Sequence, residues 1–75
     1  MKIDISVDNR GKSRATFIYL IDKEKCALVE LIEFIDSANV YTTDFDRNYM
    51  KKSFDNRNLA KAYVYECIKA MVTED

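Results

Sequence analysis

Gly11 is the one glycine in a chain of 75 residues that contains no proline. It lies in Asp8-Asn9-Arg10-Gly11-Lys12-Ser13, a run of turn formers, and is the natural carrier of a positive φ. The chain alternates on either side of it. Ile3, Ile5 and Val7 fall on one side of residues 2–7, and Asp4 and Ser6 on the other. Residues 14–21 repeat the pattern, with Ala15, Phe17, Tyr19 and Ile21 sharing a face. Two strands meeting at Gly11 are expected, with Arg10, Lys12 and Arg14 at the hairpin tip.

Residues 23–38 admit two readings. As a helix, Leu28, Leu31, Ile32 and Ile35 form an i, i+3, i+4, i+7 stripe. Lys23, Glu30, Glu33 and Ser37 then gather on the opposite side, Asp22 caps the start and Asn39 suits the end. As a strand, Glu30 and Glu33 would lie on opposite faces and neither face would be clean. The helix is preferred; the alternative is the third strand of a meander.

Val40 to Phe45 is β-branched and aromatic, hence a strand, and Asp46-Arg47-Asn48 is a turn. Tyr49 to Phe54 reads as the returning strand. Asp55 is expected to cap a helix running to about Val72, with Leu59, Ala60, Tyr63, Val64, Cys67 and Met71 as its apolar stripe. The expected fold is α+β: a small antiparallel sheet with helices on one face, in the order ββαββα. The alternative is a four- or five-stranded meander followed by one C-terminal helix. The length suits a single domain, residues 1–75.

The absence of histidine removes Ser-His-Asp and Cys-His chemistry and the usual nitrogen ligand for zinc. One glycine cannot build a phosphate-cradling loop. Cys26 and Cys67 are too far apart in sequence for a CxxC pair and read as reduced thiols, with Cys26 in the first turns of the expected helix. No catalytic residue and no cofactor is expected. Met1-Lys2-Ile3-Asp4 has no apolar leader, and Phe17-Ile18-Tyr19-Leu20-Ile21 is far too short to span a bilayer. A cytoplasmic protein is expected.

Asp44, Asp46, Asn48 and Asp55 partly match the spacing of a calcium loop, but Tyr49 stands where its sharp turn needs glycine. A hairpin turn followed by a helix cap requires the same residue types and is preferred. No metal site is expected.

The net charge is −1, which disfavours a general polyanion binder. Charge is nevertheless uneven. Residues 22–46 hold seven acids against two lysines, between two mildly basic ends. Glu30, Glu33 and Asp36, with Tyr41 and Tyr49, are the candidate contacts for a partner protein with a basic surface. A solvated helix face is the plainer reading of those acids. A sheet covered on one face would leave Ile18 and Leu20 exposed on the other, which favours burial against a partner or a second copy in a homodimer.

The leading expectation is a non-catalytic adaptor or inhibitor that occludes a surface. The alternative is a nucleic-acid accessory protein using Arg10, Lys12, Arg14, Lys51 and Lys52 with sheet tyrosines. Phe, Tyr, Met, Ile, Asn and Lys number 32 against 11 for Gly, Ala, Arg and Pro. That bias fits an AT-rich gene, as in a bacteriophage or a low-GC bacterium, and a phage or mobile-element product that inhibits a host enzyme or defence complex is one expectation.

Overall fold

The computed structural model describes residues 1–73. Five strands follow one another in a single antiparallel sheet, each paired with its sequence neighbour: β1 (Lys2–Arg10), β2 (Ser13–Asp22), β3 (Lys25–Glu33), β4 (Ala38–Thr43) and β5 (Tyr49–Phe54). One helix, α1 (Arg57–Thr73), follows. The meander-plus-helix alternative is therefore the fold, and the ββαββα order is not. Residues 25–33 are extended because β3 is paired on both sides, with β2 and with β4. A central strand can carry apolar residues on both faces, and such a run imitates a helical stripe.

Two tight turns set the register. Arg10 pairs with Ser13, leaving a two-residue loop whose first member, Gly11, has φ +61°. Asp22 pairs with Lys25 in the same way, and there Lys23 has φ +58°. Both loops need a left-handed residue at their first position, as II′ hairpin turns do. Only one of them has glycine. Lys23→Gly is expected to raise stability by about 0.5–1 kcal/mol, because strain of roughly 1–2 kcal/mol is relieved and part is returned as chain entropy. Gly11→Ala should cost about 1 kcal/mol or more from backbone strain alone, since nothing lies within 4 Å of the added carbon. Urea unfolding of both variants checks the pair; a loss of stability in Lys23→Gly would refute the turn assignment.

The covered face of the sheet is made by Ile18 and Leu20 of β2, Ala27, Val29 and Leu31 of β3, and Ala38 and Val40 of β4, all buried. Ala60 and Val64 of α1 close over it, with Tyr63, Ile68 and Met71 at the margin. This reverses the expected facing of β2. Ile18 and Leu20 are inside, and Phe17, Tyr19 and Ile21 lie on the uncovered side. Alanines at 38 and 60, which meet in the core, favour this side, because small side chains let helix and sheet approach closely. The other face carries tyrosine hydroxyls, Glu30 and Lys51, which a helix could bury only at a desolvation cost.

The helix begins one residue later than expected. Asn56, not Asp55, is its cap: Oδ1 of Asn56 accepts the backbone N–H of Asn58 at 2.8 Å and that of Leu59 at 3.3 Å. Leu59, placed on the apolar stripe by sequence, is exposed. No helix among the described residues is long and apolar enough to cross a membrane.

Candidate functional site

Among the described residues the helix packs on β3, β4 and β5, all from one side, and the opposite face of the sheet has no second layer. The pairing register places two rows of side chains on that open face. One row runs Ser6, Phe17, Glu30, Tyr41, Lys51 from β1 to β5; the next runs Asp4, Tyr19, Leu28, Thr43, Tyr49. Ile21 and Ile32 flank them on the same face. Phe17, Ile21, Leu28, Ile32 and Tyr41 are half-buried, whereas Tyr19 and Tyr49 are exposed. The Tyr41 and Tyr49 rings stack with centroids 6.5 Å apart, and the Lys51 ammonium lies 5.7 Å from the Tyr41 ring. The face thus has an aromatic and aliphatic centre crossed by one ladder, Glu30–Tyr41–Lys51, that carries both signs of charge.

Of the five residues proposed from sequence to meet a partner protein, the fold brings Glu30, Tyr41 and Tyr49 together here. Asp36 is exposed in the β3–β4 loop, away from them. Glu33 is on the other face and is buried, so the expectation that it shares a wet surface with Glu30 is wrong: side chains three apart on a strand point to opposite faces. Its Oε2 accepts both Nε (3.2 Å) and Nη2 (3.1 Å) of Arg57, and Nζ of Lys61 stands 3.5 Å from it. Arg57 and Lys61 are one helical turn apart on α1. The first turn of α1 holds no acid of its own, so Glu33 supplies from β3 the negative charge that a helix N-terminus favours. Glu33 is a clamp between helix and sheet. Phe17, Tyr19 and Leu28 are the members of the open face that sequence reasoning missed. Their alternation identified a strand but not which side would be covered.

The five basic residues of the nucleic-acid alternative are not brought together. Arg10 and Lys51 lie on the open face, Arg14 and Lys52 on the helix side, and Lys12 in the turn. Arg10 pairs with Asp8 at 2.6 Å, and Arg14 donates to Asn9 at 3.1 Å. The Lys52 ammonium sits over Tyr63, 4.8 Å from its centroid. A shallow depression of about 280 Å³ brings Lys12 and Arg14 near Arg57, whose guanidinium is committed to Glu33.

Asp44 organises the β4–β5 loop. Its Oδ1 accepts the backbone N–H groups of Asp46 and Asn48, both at 2.9 Å, and its Oδ2 accepts Nδ2 of Asn48 at 3.1 Å. This is the hairpin turn read from sequence, with Arg47 at φ +65° inside it. Among the described residues no group of three or more acids, cysteines or histidines is placed to hold a metal ion. The Asn48 backbone N–H, then its side-chain amide, hold the Asp44 carboxyl below its ordinary value of 3.8. A depressed carboxylate stabilises fully above the unfolded value and loses that contribution as pH falls through the folded one. Asp44→Ala should therefore melt lower than the parent at neutral pH, with the gap shrinking as pH drops below 3.8. A gap that stays constant through acid would show that the loop bonds do not depend on the charge.

Cys26 lies on β3 and is exposed, so it has no helix N-terminus beside it to activate the thiol, contrary to the sequence expectation. Cys67 is half-buried on α1. Burial, and then the Cys67 thiol, raise the Tyr63 phenol above its ordinary 10.0, so it stays neutral while it packs on Phe54.

No family model, curated protein or solved structure matches the chain.

Proposed function

We propose that the chain is a non-catalytic protein-binding module, an adaptor or an occluding inhibitor, that docks through the open face of its sheet. One observation carries this reading: Phe17, Tyr19, Ile21, Leu28, Ile32 and Tyr41 surround Glu30 in an apolar surface over the face that α1 leaves uncovered. Aromatic side chains are enriched in binding surfaces, and a central carboxylate such as Glu30 fixes the orientation of a partner that offers it a cation. A contiguous apolar area of this kind on a small protein favours occupation by a partner.

Charge on this face supports a protein over a nucleic acid. Lys2, Arg10 and Lys51 are balanced by Asp4, Asp8 and Glu30, and two of the cations are already paired there. A phosphate-binding surface needs an uncompensated basic excess. With Glu33 inside the fold, the acidic contribution to docking reduces to Glu30, and the partner surface is chiefly apolar with a basic group to meet that carboxylate. A role for a phage or mobile element, acting on a host enzyme, is compatible with this mode of binding.

The test is to capture partners with the immobilised chain, purify the protein recovered, and titrate it by calorimetry. Tyr19→Ala and Tyr41→Ala should each weaken binding about 30-fold or more, the loss expected of an interface anchor. Both variants should keep the parental circular dichroism. Affinity unchanged in both would overturn the reading. So would salt-steep DNA or RNA binding that is lost in Arg10→Ala with Lys12→Ala, which would instead favour the accessory role.

A further inference from the structure

We infer that β1 is a self-pairing edge, and that two copies of this chain join through it, antiparallel, about a two-fold axis at Ile5. Among the described residues β1 packs against β2 alone. Its side chains Ile3, Ile5 and Val7 lie on the helix side of the sheet, opposite Leu20, Ile18 and Thr16. The helix stops short of them, and they are 47%, 64% and 54% exposed. The two edges of the sheet are unlike. On β5, Lys51 and Lys52 stand mid-strand and α1 packs nearby, a guarded edge. β1 is nine residues long, and Ile3, Ile5 and Val7 alternate on its helix side while its charges, Lys2, Asp4, Asp8 and Arg10, all lie on the other side.

The sequence of β1 selects one register for a second copy. With the axis at Ile5, Ile5 faces itself, Ile3 faces Val7 of the second copy and Val7 faces its Ile3. On the opposite side of the sheet, Lys2 meets Asp8 of the second copy and Asp4 meets its Ser6. Every apolar residue faces an apolar one, and the charges that meet are opposite. Moving the axis to Ser6 sets Lys2 against Arg10 and Asp4 against Asp8. An axis at Asp4 sets that carboxylate against itself, and an axis at Val7 places Ile5 against Asn9 and Ile3 against Gly11. Like charges directly opposite disfavour the axes at Ser6 and Asp4, the axis at Val7 deprives both isoleucines of apolar partners, and an axis at Ile3 pairs residues 1–5 alone.

Backbone geometry agrees with the chosen register. The two-residue loop at Gly11 is closed by a bond between Arg10 and Ser13, so even-numbered residues of β1 turn their N–H and C=O groups toward β2. Residues 3, 5, 7 and 9 then turn theirs outward. An axis at Ile5 pairs 5 with 5, 3 with 7 and 7 with 3, all of them positions with free outward groups. The two sheets become one of ten strands, with six aliphatic side chains in a strip between the two helices. The open aromatic faces stay free for the partner of the proposed function.

Sedimentation equilibrium of the full chain over the micromolar range should give twice the 8.8 kDa chain mass. Ile5→Lys sets two ammonium groups on the axis and should return the chain to monomer with its circular dichroism unchanged, since the parent side chain is exposed. Ile5→Cys tests the register directly. A hydrogen-bonded antiparallel pair holds its Cα atoms about 5.5 Å apart, within the span of a disulfide. Mild oxidation should bridge position 5 to position 5, mapped by mass spectrometry. Val7→Cys should not bridge to itself, because the two positions stand on the order of 14 Å apart. A monomer throughout the range, or a dimer unaffected by Ile5→Lys and dissolved by Tyr41→Ala, would overturn the inference.

Discussion

Arg57→Met is expected to destabilise the fold by about 3 kcal/mol, while Arg57→Met combined with Glu33→Met should recover most of that loss. The asymmetry follows from burial. The Glu33 side chain is 4% exposed, whereas those of Arg57 and Lys61 are 43% and 52% exposed. Removing the guanidinium strands a carboxylate that is almost fully withdrawn from water, with an ammonium 3.5 Å away beside it. Breaking a buried pair from one side costs roughly 3–5 kcal/mol, and the remaining Lys61 argues for the lower end. Replacing both partners by apolar side chains of similar volume removes the stranded charge as well, and such exchanges are often neutral. Lys61→Met should cost about 1 kcal/mol or less, as expected of an exposed partner. Urea denaturation of the three variants and the parent gives the cycle. A double variant no more stable than Arg57→Met alone would show that the ion pair is not what the guanidinium contributes.

The same residue shows where the sequence stops being informative. Glu33 meets Arg57 across 24 positions, and no local pattern announces a contact of that range. Local signals did better. Gly11 and its flanking alternation identified the first hairpin, Tyr49 to Phe54 is a strand with those bounds, and the helix stripe at Ala60, Val64 and Met71 faces the sheet. Residues 26–35 were ambiguous for a physical reason. Leu28, Leu31, Ile32 and Ile35 satisfy a helical period, and only the pairing of β3 on both edges makes extended backbone the better choice. The facing of β2 was equally underdetermined, since Phe17, Tyr19 and Ile21 are as apolar as Ile18 and Leu20. Ala38 on β4, packed in one cluster with Ala60 and Val64 of the helix, marks the side that admits it. Tyr41 and Tyr49 are legible as strand tyrosines, whereas Phe17, Tyr19 and Leu28 join the site only through the pairing register.

Leu31→Ala should cost roughly 2–5 kcal/mol, the range for truncating a buried leucine, and Ile35→Ala should change stability by about 0.5 kcal/mol or less. A helix over 23–38 would place both on one buried stripe and make both truncations costly. In the sheet they have nothing in common. Leu31 is 6% exposed, pairs with Val40 and lies under α1; Ile35 is 70% exposed in the β3–β4 loop. Leu28 and Ile32 fall between these limits, on the open face and half-buried. Their truncation in the isolated chain should cost less than Leu31→Ala, because part of each side chain is already in water. Once the open face is occupied, the same two truncations should cost more, since the partner then covers what the sheet leaves wet. Thermal unfolding of the four variants, with and without the captured partner, reads both differences. Equal losses at 31 and 35 would contradict the strand, and equal losses at 28 and 32 in both conditions would contradict docking on the aromatic face.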